Sequence, residues 1–344
     1  MEISFVDSDS IVLTPAQEAF VCEHRPDFTS DTYCVTLAGY AGSDRRFYRI
    51  APKSIPLQSV ILMVWQSTDP DWQRFLDIPT EIGKAADYLP AIIASDDRHG
   101  LILEEDLGEM TLRKYCIVNA SSSDLVESAY IRVVDALIDW QKIDVEHAPT
   151  LSSRAMDEEM FIWESDYFAL HCVSEFYGYD KGLSGEWHKE RLALAHAAAS
   201  LPYVAIHRDF QSENILLDNG NVRFVDYQGA RRGPCGYDLA SLILDPYCDH
   251  LVPTVCAKLL AYYQSVNSSE MSVHNFHVCA AQRLMQALGA YANLSIHKGK
   301  DRYRQFLPIA LKRLHSILVS MEGVSHLTMV VAGCIEKSAG EKGV

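Results

Sequence analysis

Short apolar runs separated by turn-forming residues fill the first hundred residues, a pattern typical of β-strands. Five runs fit this pattern, and the third is apolar at almost every position, as in a strand buried on both faces. They are Tyr33–Ala38, Arg46–Ile50, Ser59–Trp65, Ala91–Ala94 and Leu101–Glu104. The stretch Asp71–Leu89 has a helical pattern, which we expect to be broken at Pro79.

From Thr111 onward the apolar positions recur at the spacing of an α-helix. Asp124–Ile143 shows one continuous apolar face, and further helices are predicted over 157–173, 185–200, 237–244, 253–265, 272–293 and 302–321. We expect Arg231–Pro234 to form a sharp turn and residues 336–344 to form a disordered tail. The pattern therefore predicts a β-rich first part followed by a mainly helical second part.

One polar stretch interrupts the helical part. A short apolar run ends at Ile206, the polar octet His207–Asn214 follows, and two β-prone runs then flank Asp218-Asn219-Gly220. Asn-Gly between two such runs is a strong hairpin signal. We therefore expect Asp209, Asn214 and Asp226 to meet at the base of one small β-structure.

Two carboxylates and an amide held together suit phosphoryl transfer. This reaction needs one carboxylate to take the acceptor's proton and hard oxygen ligands to hold Mg²⁺ on the phosphates. Asp209, Asn214 and Asp226 match that division of labour in their order and spacing. The alternative is a surface loop in which Asp and Asn residues cap turns. Such a loop would explain any one of the three residues, but it does not account well for all three in this order.

Composition and charge exclude several classes of partner. The formal net charge is −16, with no basic run, so binding to nucleic acid or to an anionic membrane is not expected. Nine scattered cysteines, with no Cys-x-x-Cys pair, favour free thiols in a reducing cytoplasm. The first residues do not resemble a signal peptide, and no apolar run is long enough to span a membrane.

The octet His207–Asn214 resembles the catalytic loop of the protein-kinase-like superfamily. Asp226-Tyr227-Gln228 stands where protein kinases have Asp-Phe-Gly, and with Tyr237-Asp238-Leu239-Ala240 it resembles the aminoglycoside phosphotransferase/choline kinase family. Within that family the chain looks most like bacterial N-acetylmuramate/N-acetylglucosamine anomeric kinases. The segments that carry this finer resemblance are Ser43–Arg49, Asp226–Ala230, Arg232–Pro234 and Gln286–Gly289.

The resemblance implies an α+β, two-lobed protein-kinase-like fold with an antiparallel five-stranded N-lobe and a mainly helical C-lobe. It places the N-lobe at residues 1–104 and the C-lobe at 105–335, with Mg·ATP in the cleft. Asp209 would be the catalytic base, and Asn214 and Asp226 would be the metal ligands. His207 and Asp238 would brace the catalytic loop, while Arg208 would contact the transferring phosphoryl group or fix a nearby carboxylate.

The third strand lacks the lysine that kinases usually place there to bind the nucleotide phosphates. Another group has to take its role. Gly42 and Ser43 lie in a turn whose backbone N–H groups can approach phosphates. Arg45, Arg46 or Arg49 could replace the lysine, and we predict Arg46. Glu104 and Asp106 mark the hinge where, in the resembling families, backbone groups bind adenine.

For the acceptor, the resemblance implies an amino sugar phosphorylated at its anomeric hydroxyl. Gln228, Arg283 and Trp163 are the candidate acceptor residues, although Trp163 also suits a core and Arg283 also suits a salt bridge. Aminoglycoside, choline and homoserine remain alternative acceptors, and a nucleotide-binding pseudokinase is the non-enzymatic alternative. We expect a monomer or weak dimer.

Overall fold

The computed structural model describes residues 11–28, 32–40, 45–53, 58–218, 220–248, 253–267 and 271–340. The five predicted strands form one antiparallel sheet in the order β1-β2-β3-β5-β4. Their bounds are β1 Tyr33–Tyr40, β2 Arg46–Pro52, β3 Val60–Val64, β4 Ile92–Asp96 and β5 Leu101–Glu105. The predicted five-stranded N-lobe is therefore confirmed.

Apolar residues on both faces explain why β3 lies at the centre of this sheet. Leu62 packs into a small core beneath helix α1 (Pro15–His24), whereas Met63 packs into the large core that continues into the helical part. The start of α1 is set by a capping box, in which Thr14 and Gln17 satisfy each other's backbone N–H groups. The sheet thus joins two cores.

Helix α2 (Pro70–Glu81) corrects one prediction. Pro79 lies inside this helix, near its C-terminal end, and the break comes instead at Gly83, whose φ of +56° ends the regular helix. A 3₁₀-helix, Gly83–Tyr88, continues the segment. Pro79 has no N–H to donate to the carbonyl of Phe75, four residues earlier, and the hydroxyl of Tyr227 donates to that oxygen instead, at 3.0 Å.

Ten further α-helices in the described part of the chain form most of the second lobe, which confirms its predicted mainly helical character, although α5 and α12 were not predicted. They are α3 Leu112–Val118, α4 Ser123–Gln141, α5 Pro149–Ser152, α6 Glu158–Tyr167, α7 Gly185–Ala199, α8 Gly236–Ile243, α9 Pro253–Val266, α10 Val273–Ile296, α11 Leu307–Val319 and α12 Ser325–Gly340. Short 3₁₀-helices cover Val145–His147, Asp180–Gly182, Tyr227–Gly229 and Asp301–Phe306.

Two small sheets hold the polar octet. The predicted hairpin forms as β7 (Ile215–Asp218) and β8 (Asn221–Phe224), paired from Ile215↔Phe224 to Asp218↔Asn221. In the second sheet, β6 (Tyr203–Ile206) pairs with β9 (Arg231–Pro234). The predicted sharp turn at Arg231–Pro234 is therefore wrong, because β6 supplies a pairing partner that is remote in sequence.

The C-terminal lobe differs from prediction in two further places. The segment predicted as one helix over 157–173 is α6 followed by a nine-residue π-helix, Phe168–Phe176. The disordered tail does not begin at Glu336, because α12 buries Val330, Val331 and Cys334 and its helix continues to Gly340. Residues 341–344 lie outside the described part.

Within the described residues, no helix has the length and apolar character needed to cross a membrane. All nine cysteines lie in the described part, and all are free thiols, as predicted.

Candidate active site

A cavity of about 800 Å³ lies between the five-stranded sheet and the helical lobe. Its size falls within the range of small-molecule sites. Six residues singled out from the sequence line it, namely Glu104, Asp106, Asp209, Asn214, Asp226 and Arg283. The hairpin thus brings the two aspartates and the asparagine to one solvent-accessible site.

Buried Asp238, in the first turn of α8, holds the start of the catalytic loop. Its two carboxylate oxygens accept the backbone N–H groups of His207 and Arg208, at 2.5 and 2.9 Å. Burial raises the pKa of Asp238 to about 7, against these two hydrogen bonds, which favour the ionised form. The carboxylate fixes a backbone whose Arg208 has a φ of +78°, a conformation that few residues other than glycine adopt.

His207 is fully buried among aromatic rings. Trp140, Phe210 and Phe224 have ring centroids within 6.0 Å of its imidazole. Burial lowers the pKa of His207, so the ring is neutral and packs as part of the core. The ring lies away from the cavity and only the backbone N–H of His207 contacts Asp238, so the bracing role of this residue stays a prediction.

Asp209 faces the cavity beside a buried cation. Arg283 of α10 lies 3.8 Å from Asp209 Oδ1, and Ser241 and Gln286 accept hydrogen bonds from the same guanidinium. Asn214 donates a hydrogen bond from Nδ2 to the backbone oxygen of Asp209, at 2.9 Å. Arg283 is therefore positioned to attract an anionic group next to the predicted base.

Asp226 lies two residues after the end of β8. Its backbone adopts the left-handed conformation, with a φ of +65°. Asp tolerates this conformation better than most residues. Gln228 donates from Nε2 to Asp226 Oδ1 at 3.0 Å, so Gln228 orients this carboxylate. Asp226 and Asn214 offer oxygen donors on one wall of the cavity, a donor set that fits Mg²⁺.

Arg46 does not line the cavity, whereas Arg49 and Arg45 do, and Arg45 is the one that lies beside Asp226. Its guanidinium pairs with Asp226, donates to Gln228 Oε1 at 3.1 Å and lies 5.0 Å from the ring of Trp65. Arg46 is exposed and does not line the cavity, because successive side chains of a strand point to opposite faces. The prediction of Arg46 is corrected to Arg45 by this alternation.

Glu104 and Asp106 line the cavity with different environments. Glu104 is buried opposite Ile61 of β3, its Oε2 has no hydrogen-bond partner, and burial raises its pKa to about 8. Asp106 instead accepts from Arg49, at 2.5 Å, and from Ser59, at 2.6 Å. The side chain of Asp106 therefore ties the hinge to the sheet, and only its backbone is left for a ligand.

Arg208 points away from the cavity. Its guanidinium lies 3.6 Å from fully buried Glu164, whose pKa is raised to about 7 by burial, against the attraction of Arg208 and Arg283. Tyr237 donates a hydrogen bond to the same carboxylate at 3.1 Å. Of the two predicted roles, the geometry favours fixing a carboxylate.

Besides Arg46 and Arg208, three further residues predicted from the sequence are not placed in the site. Trp163 is 50% exposed, stacks on Tyr167 and does not line the cavity, so its predicted contact with the acceptor is corrected. Its helical position faces solvent, which periodicity alone did not reveal. Gly42 and Ser43 lie outside the described residues.

Sequence reasoning missed the aromatic wall of the cavity. Tyr247 and Phe306 pack edge to face at 4.4 Å, and Tyr291 stacks with Tyr303 at 5.8 Å. Arg113 lies 5.7 Å from the ring of Tyr247. These residues come from four separate segments, so no local motif signals them.

Known proteins resemble this chain in sequence. A model of the phosphotransferase enzyme family matches residues 37–274, more than half of the chain. An N-acetylmuramate/N-acetylglucosamine kinase of Pseudomonas aeruginosa is 26% identical over 301 residues, which cover 85% of this chain and 87% of that protein. A protein of the same name from Neisseria meningitidis is 23% identical over 262 residues, covering 70% and 77%.

Solved structures show the same fold. A choline/ethanolamine kinase family protein from Mesorhizobium loti superimposes with a TM-score of 0.58 at 15% identity, covering 88% of this chain and 92% of that one. The ADP-bound aminoglycoside phosphotransferase APH(2'')-Ib gives 0.57 at 13% identity, covering 89% and 99%. The two-lobed protein-kinase-like fold is thereby confirmed. Together with the family match, this fold shows that the chain belongs to the phosphotransferase enzyme family.

Proposed function

We propose that this protein is an ATP-dependent kinase that phosphorylates the anomeric hydroxyl of an amino sugar of the N-acetylmuramate/N-acetylglucosamine type. The observation that carries the proposal is the convergence of Asp209, Asn214 and Asp226 on one cavity. The names of the relatives support the acceptor class. The size of the cavity leaves room for both a nucleotide and a sugar.

In this proposal the carboxylate of Asp209 accepts the proton of the acceptor hydroxyl. Arg283, 3.8 Å away, stabilises negative charge beside it. Asn214 and Asp226 hold Mg²⁺, which when bound neutralises charge on the phosphates. Gln228 keeps Asp226 oriented through its 3.0 Å hydrogen bond.

Arg45 takes the place of the lysine that β3 lacks. Its guanidinium is nearly buried, lies beside the proposed metal ligand Asp226, and is attracted by Glu104. When a nucleotide binds, the guanidinium donates to its phosphates, and Glu104 remains as a buried carboxyl group beside it. A planar guanidinium suits phosphate oxygens because it donates two parallel hydrogen bonds.

The wall formed by Tyr247, Tyr291, Tyr303 and Phe306 is the proposed acceptor side. Aromatic rings pack against the apolar face of a sugar ring, while cations such as Arg113 and Arg302 on the same side meet polar substituents. The hinge at Glu105–Gly108 is the proposed adenine side. We place the boundary between the lobes at residues 104 and 105, the enzyme in the cytoplasm, and its assembly as a monomer or weak dimer.

Turnover of an acceptor panel tests the function. We expect phosphorylation of N-acetylmuramate or N-acetylglucosamine in preference to choline, homoserine and kanamycin, measured as ADP release with Mg·ATP. Preference for choline, homoserine or kanamycin would replace the amino-sugar assignment. No turnover of any acceptor, together with a thermal shift by Mg·ATP, would favour a nucleotide-binding protein without catalysis.

Asp209→Asn tests the base separately. This variant should keep its thermal shift with Mg·ATP and lose at least about a hundredfold in turnover, since general-base catalysis typically contributes 10²–10⁴-fold. Asp97→Asn, in the exposed turn between β4 and β5, is the matched control and should behave as wild type. Near-normal turnover of Asp209→Asn would remove Asp209 as the base.

A further inference from the structure

Two histidines and a glutamate meet on the surface of the helical lobe, outside the cavity. His171 Nδ1 and His297 Nε2 both donate to Glu175 Oε2, at 2.7 and 2.9 Å. The three ligand atoms lie within 4.8 Å of one another. Other His–carboxylate pairs of the described chain, such as His147–Asp144, bring a single imidazole to the carboxylate.

The ligands come from two elements that pack tightly together. His171 and Glu175 lie four residues apart on the π-helix, whose hydrogen bonds run from residue i to i+5, so both side chains share one face. His297 caps the C-terminal end of α10 and lies 122 residues after Glu175 in the chain. The cluster is therefore a product of tertiary packing.

The surroundings restrict the ring of His171. The edge of Tyr167 contacts this imidazole with centroids 4.6 Å apart, and Asn293 of α10 donates to the hydroxyl of Tyr167 at 2.8 Å. The hydrogen bond from Asn293 fixes the ring of Tyr167, and this ring in turn limits rotation of the His171 imidazole. The other face of the cluster is open, since the side chains of Glu175 and His297 are 33% and 46% exposed.

The charges around the cluster permit a cation. The Glu175 carboxylate contacts both His171 and His297. Exposed Lys298 follows His297, and Arg304, which lies over the ring of Phe176, pairs with Asp301 at 3.0 Å. One carboxylate and two imidazoles form a donor set that suits zinc.

We propose that His171, Glu175 and His297 bind a divalent transition-metal ion, with zinc as the best fit, and that the ion joins the π-helix to the end of α10. Tetrahedral zinc needs its ligand atoms about 3.3 Å apart, given bonds of about 2.0–2.2 Å. The two imidazole–carboxylate distances, 2.7 and 2.9 Å, have to open slightly to reach this value, and the two imidazole nitrogens, within 4.8 Å of each other, have to adjust to it as well. The metal then replaces the protons shared with Glu175. A water completes the coordination on the open side.

The site would brace the acceptor wall of the proposed kinase without taking part in its chemistry. Helix α10 carries Arg283, Gln286 and Tyr291, and the segment after His297 leads directly to the 3₁₀-helix Asp301–Phe306. Fixing the end of α10 therefore limits movement of that wall.

Zinc binding to the full chain tests the proposal, by calorimetry in chelator-free buffer and by thermal melting with added ZnCl₂. We expect about one equivalent of zinc in wild type, a melting temperature that rises with zinc, and tighter binding at pH 8 than at pH 6, because zinc competes with protons. MgCl₂ should not substitute for zinc, since Mg²⁺ prefers oxygen ligands.

Two ligand variants and one control decide the location. His297→Ala and Glu175→Gln should each weaken zinc binding at least about tenfold, since even outer-shell changes cost about 10–100-fold. Both side chains are partly exposed, so their zinc-free melting temperatures should stay near that of wild type. His147→Ala removes an exposed histidine of a two-residue pair and should bind zinc as wild type does. Equal zinc binding by all four proteins, or no binding by wild type, would overturn the proposal.

Discussion

Arg45 lies directly before β2, and the proposed nucleotide binding depends on its charge. Replacing it with alanine should lower kcat/KM for Mg·ATP by about 10–100-fold, since a charge-assisted hydrogen bond contributes about 1.5–3 kcal/mol. Arg45→Lys should recover part of this loss, because lysine keeps the charge but not the planar donor pair.

Arg46→Ala is the matched control for this prediction, since the two arginines are neighbours in sequence and point to opposite faces. Steady-state kinetics with ATP varied and the acceptor saturating would provide the measurement. If kcat/KM for Mg·ATP stayed near the wild-type value in both Arg45→Ala and Arg46→Ala, neither cation would contact the phosphates.

Glu104 is a buried acid whose pKa is raised from 4.5 to about 8. The folded protein therefore keeps this proton between about pH 4.5 and pH 8, while the unfolded chain has lost it, so this residue makes stability fall as the pH rises through that window. Glu104→Gln is neutral throughout and should gain in melting temperature, relative to wild type, between pH 5 and pH 8.

Melting curves of both proteins without nucleotide or Mg²⁺ test this sign, because all other titrating groups are shared and cancel in the difference. A constant difference across the window would mean that Glu104 is already ionised at pH 5, held so by Arg45.

At the scale of elements, the position of α10 depends on one close approach. A Cβ at Gly289 would lie 2.7 Å from Tyr167 Cδ1 and 3.0 Å from the backbone nitrogen of Phe168. Gly289→Ala should therefore lower the free energy of unfolding by about 1–3 kcal/mol through overpacking, reduced by the roughly 1 kcal/mol gained in helix propensity.

Urea denaturation measures this change. Gly185→Ala, also helical and with no atom within 4 Å of the added carbon, is the control and should be neutral or slightly stabilising. Wild-type stability of Gly289→Ala would show that α10 can move away from the π-helix at no cost.

The hinge between the two lobes is held by arginines from both sides. Arg49 of β2 pairs with Asp106, and Arg223 of β8 pairs with Glu105 at 2.6 Å while donating to the backbone oxygen of Leu89 at 2.7 Å. The backbone between Glu105 and Gly108 is thus fixed relative to both the sheet and the hairpin.

At the scale of the whole molecule, the net charge of −16 should slow the association of anionic acceptors at low salt. With Mg·ATP saturating, kcat/KM for anionic N-acetylmuramate should rise relative to neutral N-acetylglucosamine as ionic strength increases from 10 mM to 150 mM, because the Debye length falls from about 30 Å to about 8 Å. A fall in this ratio would show that cavity arginines such as Arg113 and Arg302 outweigh the overall charge.

Local chemistry made the catalytic loop and the hairpin predictable. Each of these signals spans only a few residues, namely the polar octet, the Asn-Gly turn and the apolar runs. The sequence therefore predicts that Asp209, Asn214 and Asp226 lie together. The same was true of the five strands, because their apolar runs are short and clearly bounded. Pro79 and the segment at Arg231–Pro234 were misjudged, since the outcome there depended on Gly83 and on pairing with β6.

The sequence by itself determined the five strands of the first lobe, most helices of the second, the hairpin that groups Asp209, Asn214 and Asp226, and the family, because these follow from periodicity and from residues close together in the chain. Only the tertiary structure decided which arginine faces the cavity, that Trp163 does not, and that His171, Glu175 and His297 meet. Each of these depends on side-chain direction or on packing between segments far apart in sequence, and a one-dimensional pattern contains no distance between such segments.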